Sequence, residues 1–444
     1  MGRGEVRAYI GKGHYPPPSK GEVFAWCMYD FANSSFTTLI VTVAYSVYFV
    51  QVVARGYPGE RLWGWGYSTS MIAIALISPV LGAVADYSGK KRHFLAFFTA
   101  LCILPTGLLF FVKEGDIWWG VILFAVANIG FNGGITFYNA FLIEISDKTN
   151  IGRVSGYGWA LGYIGGLVCL GLAYPFLKGG FSEENLLSYR LSFVLTALFF
   201  LLACLPTFAI LKERAVPYFL EGRGTYWAIG FKRIKETFYE IRRFKELLRY
   251  LFAYLIYTDG INTVIVFAAI FASKVLNFTP QEIIVYFLVT QISAALGAYF
   301  FGFITDWIGA KRSVSLTLLV WIAISFGAYI VQTKFQFYIL GLGAGIVLGS
   351  NQSASRALLG LFTPHGKSAE FFGFFSLTGK FASTLGPLIY GEITARMGQR
   401  MAVISIGLFF LIGLAALQMV NEREGIEAAE NFERLEGEEK GGDI

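Results

Sequence analysis

The feature that most constrains this chain is the length of its stretches without a charged residue. Ten such stretches occur, at 31–54, 62–85, 93–112, 117–143, 154–177, 191–211, 283–305, 313–333, 335–355 and 401–421. A helix rises about 1.5 Å per residue, so roughly 20 apolar residues cross the hydrocarbon core of a bilayer. Allowing one internal charge extends the first stretch back to Val23, across Asp30, and adds 250–273 around Asp259 and 371–391 around Lys380. The pattern predicts an all-α membrane protein of twelve transmembrane helices. A soluble helical bundle is excluded, because its helices are shorter and carry polar outer faces. Charged residues make up 15% of the chain, against about 25% in soluble domains.

The first twenty residues are polar and basic, with Pro16-Pro17-Pro18 just before the first span, which reads as a cytoplasmic tail rather than a cleavable signal. With the N-terminus inside, the inner loops and tails hold 25 of the 36 Lys and Arg, and the outer loops hold 9. Lys and Arg accumulate on the cytoplasmic side of membrane proteins. The expectation is a multi-pass protein of the cell membrane with both termini cytoplasmic. The same asymmetry explains the net charge of +6 without nucleic acid. Cys27, Cys102, Cys169 and Cys204 all lie in apolar stretches, no CxxC pair occurs, and the three histidines are far apart. Neither a metal site, a cofactor nor a disulfide framework is expected.

The chain repeats itself in order. Gly82-x-x-x-Asp86-x-x-Gly89-x-Lys91-Arg92 returns as Gly302-x-x-x-Asp306-x-x-Gly309-x-Lys311-Arg312 at an offset of 220. Asp30-x-x-Asn33 returns as Asp259-x-x-Asn262 at offset 229, and Gly156 and Gly162 return as Gly373 and Gly379 at offset 217. The division that follows is a tail at 1–22, a six-helix half at 23–212, a linker at 213–248, a second six-helix half at 249–420 and a tail at 421–444. Parallel repeats of this kind put a transporter's substrate site between the halves, near the midplane. In the linker, Phe231, Ile234, Phe238, Ile241 and Leu248 fall at helical spacing opposite a basic face. That predicts an amphipathic helix on the anionic inner leaflet, with docking of a protein as the alternative. The Glu-rich end, poor in apolar residues, is expected to be disordered.

The doubled Gly-x-x-x-Asp-x-x-Gly-x-Lys-Arg loop resembles the signature loop of the major facilitator superfamily. Tyr29-Asp30-Phe-Ala-Asn33-Ser, Gly152-Arg-Val-Ser-Gly156-Tyr-Gly-Trp159, Tyr257-Thr-Asp259-Gly260 and Phe371-Phe-Gly373-Phe-Phe-Ser-Leu-Thr-Gly379-Lys380 are similar to its vacuole-effluxer-like branch. Fungal members of that branch are implicated in releasing amino acids from vacuoles. The resemblance covers about residues 23–420 and implies two pseudo-symmetric bundles that rock in alternating access, with no cofactor. It also implies that spans one, four, seven and ten line the cavity. Asp86 and Asp306 would then cap or pair with basic groups at the inner helix ends, beside Arg92 and Arg312, and hold the inner gate shut. Gly82, Gly89, Gly302 and Gly309 would allow close helix approach and tight turns. The alternative is that these loops only anchor topology.

An ionisable group inside a span is costly and marks function by default. Asp30, Asp259 and Lys380 lie ten residues past Lys20, Arg249 and Glu370 respectively, roughly 15 Å along their helices. Asp259 and Lys380 match in depth and are predicted to form an ion pair, either structural or part of the binding site. The first-half position equivalent to Lys380 is Tyr163, so Asp30 is expected to lack a cation. It then suits proton coupling or a substrate amine such as that of an amino acid; the alternative is a hydrogen bond from Tyr163 or a backbone group, with no coupling.

Polar residues reinforce the reading. Asn128, Asn132, Thr136 and Asn139 share a face of span four, and Asp30, Asn33, Thr37, Tyr45 and Tyr48 share one of span one. Span ten carries Asn351, Gln352, Ser355 and Arg356. Glu144 and Arg356 fall at equivalent depths of spans four and ten. They either bridge the halves as a gate or pair within their own halves. The function expected is secondary active transport of a small polar solute, with an amino acid or related zwitterion preferred, by a monomer that uses no nucleic acid. A sensor or lipid-handling protein of the same fold is the alternative. A polytopic membrane enzyme lacks support, since no paired acidic motif or Gly-x-Ser-x-Gly elbow is present.

Overall fold

The computed structural model describes residues 18–214, 244–383 and 385–441. The amphipathic linker expected at 213–248 lies, except for its ends, outside the described residues. Six helices form the first half: α1 Lys20–Val53, α2 Gly59–Ser88, α3 Lys91–Phe111, α4 Ile117–Ile145, α5 Ile151–Leu177 and α6 Leu186–Ile210. The second half runs α7 Lys245–Leu276, α8 Pro280–Ile308, α9 Ala310–Ile330, α10 Lys334–Leu361, α11 Ser368–Phe381, α12 Leu385–Met397 and α13 Gln399–Gln418. A last helix, α14, covers Glu422–Gly441.

Ten helices among the described residues are long and apolar enough to cross a membrane, α1 to α9 and α13. The two other predicted spans depart from that simple form for physical reasons. α10 has 28 residues, but Ser350, Asn351, Gln352, Ser353, Ser355 and Arg356 dilute its hydropathy. The span predicted at 371–391 is broken. Its helix leaves regular geometry at Ala382 and resumes at Leu385.

Local chemistry sets many helix ends. Ser19 with Glu22, Thr279 with Glu282 and Thr333 with Gln336 form reciprocal capping boxes at the starts of α1, α8 and α10. Gly89 closes α2 at φ 59° and Gly309 closes α8 at φ 94°, a region that penalises a side chain. α1 is not regular along its length. Ala44 N–H donates to Leu39 O at 2.7 Å and Ala54 N–H to Phe49 O at 2.8 Å, both across five residues, which makes π-helical turns. Those turns rotate the outer part of α1 away from the predicted common face. Tyr45 and Tyr48 therefore donate to Gly120 O and Val112 O inside the first half.

Side chains such as Leu104, Leu172, Leu202 and Phe300 stand exposed on the outside of the bundle, as lipid contact requires. One end, here called the basic face, collects the start of α1, the end of α6, the start of α7 and the end of α13. There Arg214 pairs with Glu22 at 2.9 Å and Asn421 N–H donates to Glu246 at 2.6 Å. The tail expected to be disordered lies across this face as α14. Ile426, Ala429 and Phe432, three residues apart, form an apolar stripe that the Glu-rich composition conceals. Phe432 packs on Phe244 with centroids 5.6 Å apart, and Lys367 lies 4.9 Å over its ring. Glu430 pairs with Lys148, and Glu433 accepts from His365 N–H at 2.8 Å.

Candidate functional site

At the basic face each half caps a helix of the other. Asp86, at the end of α2, accepts from the backbone N–H groups of Ala369 (3.1 Å) and Glu370 (2.9 Å) and from Ser368 Oγ (3.2 Å), all in the first turn of α11. Asp306, at the end of α8, accepts from Gly152 N–H (2.7 Å), Arg153 N–H (3.2 Å) and Arg153 Nε (2.6 Å) at the start of α5. A carboxylate at a helix N-terminus satisfies orphan amides and meets the positive end of the dipole. Small residues make the approach possible. A Cβ on Gly82 would lie 2.2 Å from Ala369 O, and one on Gly302 3.0 Å from Arg153 Cα. The geometry is that of a closed basic face.

Arg356 is the centre of the inter-half contact. It rises from α10 of the second half, is 2% exposed, and enters a pocket made wholly by the first half. Its Nε donates to Ser155 Oγ at 2.9 Å and its Nη2 to Ser155 O at 2.6 Å. Its Nη1 donates to Asn139 Oδ1 at 3.1 Å and to Asp30 Oδ2 at 3.4 Å. Trp26, Tyr138 and Trp159 surround the guanidinium at 4.9, 5.6 and 5.3 Å, near enough for cation–π attraction. Tyr138 Oη donates to Asp30 at 3.1 Å. Asp30, expected to lack a cation, thus has one. The position equivalent to Lys380, inside the same half, is Tyr163, and the cation comes instead from the opposite half.

The Glu144–Arg356 bridge is not formed. Glu144 pairs with Lys91 and accepts from Arg214 N–H at 2.8 Å, which is pairing within its own half. Lys91 is buried and also meets Asp86 at 3.7 Å and Ser368 Oγ at 2.7 Å. Arg92, the neighbour chosen from sequence, donates to Phe208 O. Arg312 is exposed at the start of α9. Glu213 caps α3, accepting from Lys91 N–H at 2.5 Å and Arg92 N–H at 3.1 Å. Burial pushes its carboxyl up to about 7, against the opposing pull of those amides and of Lys91.

In the second half the predicted Asp259–Lys380 ion pair is absent. Lys380 Nζ donates to Ser376 Oγ at 2.8 Å, one turn back on α11. Asp259 Oδ2 accepts from Leu385 N–H at 3.1 Å, the first amide of α12. Asn262 Nδ2 donates to Ala382 O and to Ser383 Oγ, both at 2.8 Å. Asp259 and Asn262 therefore clamp the two sides of the helix break, where backbone groups would otherwise stand unsatisfied in the bilayer. A break could not be foreseen from matched depth, and it diverts the carboxylate from the ammonium.

Several amides knit neighbouring helices. Asn128 donates to Ser70 Oγ at 2.8 Å, Asn132 to Asn128 O at 2.8 Å, and Asn351 to Thr317 Oγ1 at 2.9 Å. Asn33 is buried and its Nδ2 has no hydrogen-bond partner among the described residues. Tyr163 donates to Gln352 Oε1 across the halves rather than to Asp30. Lys91, Trp26, Tyr138 and Ser155 were missed from sequence. Lys91 stands beside a chosen residue, and only the helix phase tells which of two adjacent cations turns inward.

Residues 66–430 match the family model described as vacuole effluxer Atg22 like. The chain is 28% identical over 416 residues to the uncharacterized MFS-type transporter YxiO of Bacillus subtilis (strain 168), covering 91% of this chain and 96% of that protein. It is 26% identical over 348 residues to autophagy-related protein 22 of Yarrowia lipolytica, covering 71% of this chain and 58% of that longer protein. Among solved structures, the proton:xylose symporter XylE superposes with TM-score 0.71 at 13% identity, covering 93% of this chain and 98% of that one. The human organic anion transporter MFSD10 superposes with TM-score 0.67 at 15% identity, covering 90% and 100%. These relatives and neighbours are transporters and not enzymes, and the superpositions show that the chain shares their fold. With the doubled capping loop and the closed seam described above, the chain belongs to the vacuole effluxer Atg22-like family of the major facilitator superfamily.

Proposed function

We propose that this protein is a secondary active transporter of a small zwitterion, an amino acid or close relative, working by alternating access. The observation that carries the reading is the pair of charged groups at the α11–α12 break. Among the described residues Lys380 has a single hydroxyl partner, and Asp259 has a backbone amide but no cation. A solute carboxylate suits the former and a solute ammonium the latter. Asn262 lies at the same break, and Tyr163 and Gln352 meet across the halves. The name vacuole effluxer, given to the family, is consistent with movement of a small solute.

Rocking the halves open at the basic face parts Arg356 from Asp30. A carboxylate left in the bilayer without its cation takes up a proton, which would couple transport to protons through Asp30. The Lys and Arg asymmetry supports both chain ends being cytoplasmic in a cell membrane.

The test is thermal stabilisation of detergent-purified protein by amino acids, sugars and short peptides, followed by flux of the best ligand into proteoliposomes. An amino acid should stabilise the wild type and fail to stabilise Lys380→Met. Equal stabilisation of both would remove Lys380 from the site. Binding without flux would favour a sensor of the same fold.

A further inference from the structure

The two capping loops differ in what becomes of their cations. In the first half Lys91 pairs with Glu144, Arg92 donates to Phe208 O, and Arg214 is held by both oxygens of Glu22 at 2.9 and 3.0 Å. Each cation is consumed by the protein. The second half repeats the arrangement with Lys311, Arg312 and Arg423, the last following Glu422 as Arg214 follows Glu213. Glu422 caps α9 through Ala310 N–H at 3.0 Å and Lys311 N–H at 3.3 Å, as Glu213 caps α3. The cations are treated otherwise. Among the described residues Lys311 Nζ donates only to Gln418 O, at 3.1 Å. The guanidiniums of Arg312 and Arg423 have no partner among the described residues, because Glu246, which stands where Glu22 does, is taken by Arg249 and Asn421 N–H.

Lys311, Arg312 and Arg423 line one open recess of about 790 Å³ at the basic face. Ser315 and Gln418 add polar groups, and Glu422 is the carboxylate present, already engaged by two amides. Below the cations the wall is apolar and faces outward, with Leu316, Leu319 and Met419 exposed. The recess stands at the start of α9 and the end of α13, which is headgroup depth.

We infer that this recess binds the phosphate headgroup of an anionic phospholipid from the adjacent leaflet, with its acyl chains along Leu316, Leu319 and Met419. Cations over an anionic leaflet attract its lipids, each contributing modestly. Arginine grips a phosphate through a planar fork. A built recess with two unspent guanidiniums makes the attraction local rather than diffuse. The bound lipid would brace the root of α14 against the α8–α9 loop.

The experiment titrates full-length, detergent-purified protein with dioctanoyl phosphatidylglycerol, dioctanoyl phosphatidylcholine or glycerol phosphate and follows the melting temperature. Phosphatidylglycerol should saturate, and the double variant Arg312→Ala/Arg423→Ala should weaken it roughly tenfold. The control Lys20→Ala/Lys90→Ala removes the same charge from exposed positions of the same face and should change affinity by less than about twofold. Arg312→Lys/Arg423→Lys should recover part of the loss. Equal weakening by both double-alanine variants would mean diffuse surface attraction and overturn the site. Equal response to glycerol phosphate would overturn the lipid assignment.

Discussion

Asp30-x-x-Asn33 in α1 and Asp259-x-x-Asn262 in α7 are the same four-residue pattern in repeated positions, and they do different work. Around Asp30 the neighbouring α5 is continuous, and its Gly162 and Gly165 let α1 approach closely: a Cβ on Gly165 would lie 2.0 Å from Phe31 O. With that helix intact the carboxylate is available for Arg356 of the other half. Around Asp259 the equivalent helix is broken, and one carboxylate oxygen and the Asn262 amide hold the break, while the other carboxylate oxygen has no hydrogen-bond partner among the described residues. A repeated pattern fixes where a polar group stands. What it binds depends on whether the helix opposite still satisfies its own backbone.

The comparison can be broken most severely at Arg356. Arg356→Met should strand Asp30 and cost about 3–5 kcal/mol in thermal or denaturant unfolding, with Asp30→Asn/Arg356→Met recovering a large part. An additive double variant would show that the two groups do not interact. Next comes the seam. Gly82→Ala should open the basic face more than Gly302→Ala, since its Cβ would press on backbone at 2.2 Å rather than 3.0 Å. Maleimide labelling of Ser353→Cys, in a background lacking the four native cysteines, should rise severalfold in the first and less in the second.

A smaller effect distinguishes the loops through pH. The Glu213 carboxyl is raised from 4.5 to about 7 by burial, so the folded protein holds a proton that the unfolded chain releases. Its contribution is fully present below about pH 4.5 and is lost as pH rises through about 7. Glu213→Gln should flatten that slope, which amounts to at most about 3 kcal/mol across the window. An unchanged stability–pH curve would contradict the buried cap. The smallest effect contrasts the two asparagines. Asn262→Ala loses both bonds across the break and should cost about 1–2 kcal/mol. Asn33→Ala, whose amide nitrogen has no partner among the described residues, should cost less than about 0.5 kcal/mol. Equal costs would remove the asymmetry between the halves.

Much of the fold was legible because its signals are one-dimensional. Charge-free length marks a span, and a constant offset marks a repeat. The two Gly-Asp-Gly-Lys-Arg loops were legible for the same reason, as a repeat; that Asp86 and Asp306 would cap or pair at helix ends is what the resemblance to the major facilitator superfamily implies. Two kinds of site residue were not legible. Lys91 and Arg92 are adjacent, and only helix phase decided that Lys91 turns inward. Arg356 pairs with Asp30, 326 residues away, through a contact between halves that no spacing encodes.

From sequence alone follow the bilayer as solvent, the two repeated halves, their capping loops and the ionisable groups inside the spans. These depend on local hydropathy and on the backbone's need for satisfied hydrogen bonds, which act along the chain. Tertiary structure alone decided the pairing of Arg356 with Asp30, the separation of Lys380 from Asp259, the break between α11 and α12, and the docking of α14 on the basic face. Each is a choice among several partners of suitable charge or polarity. Burial settles such choices by which groups the packed helices bring within hydrogen-bond reach.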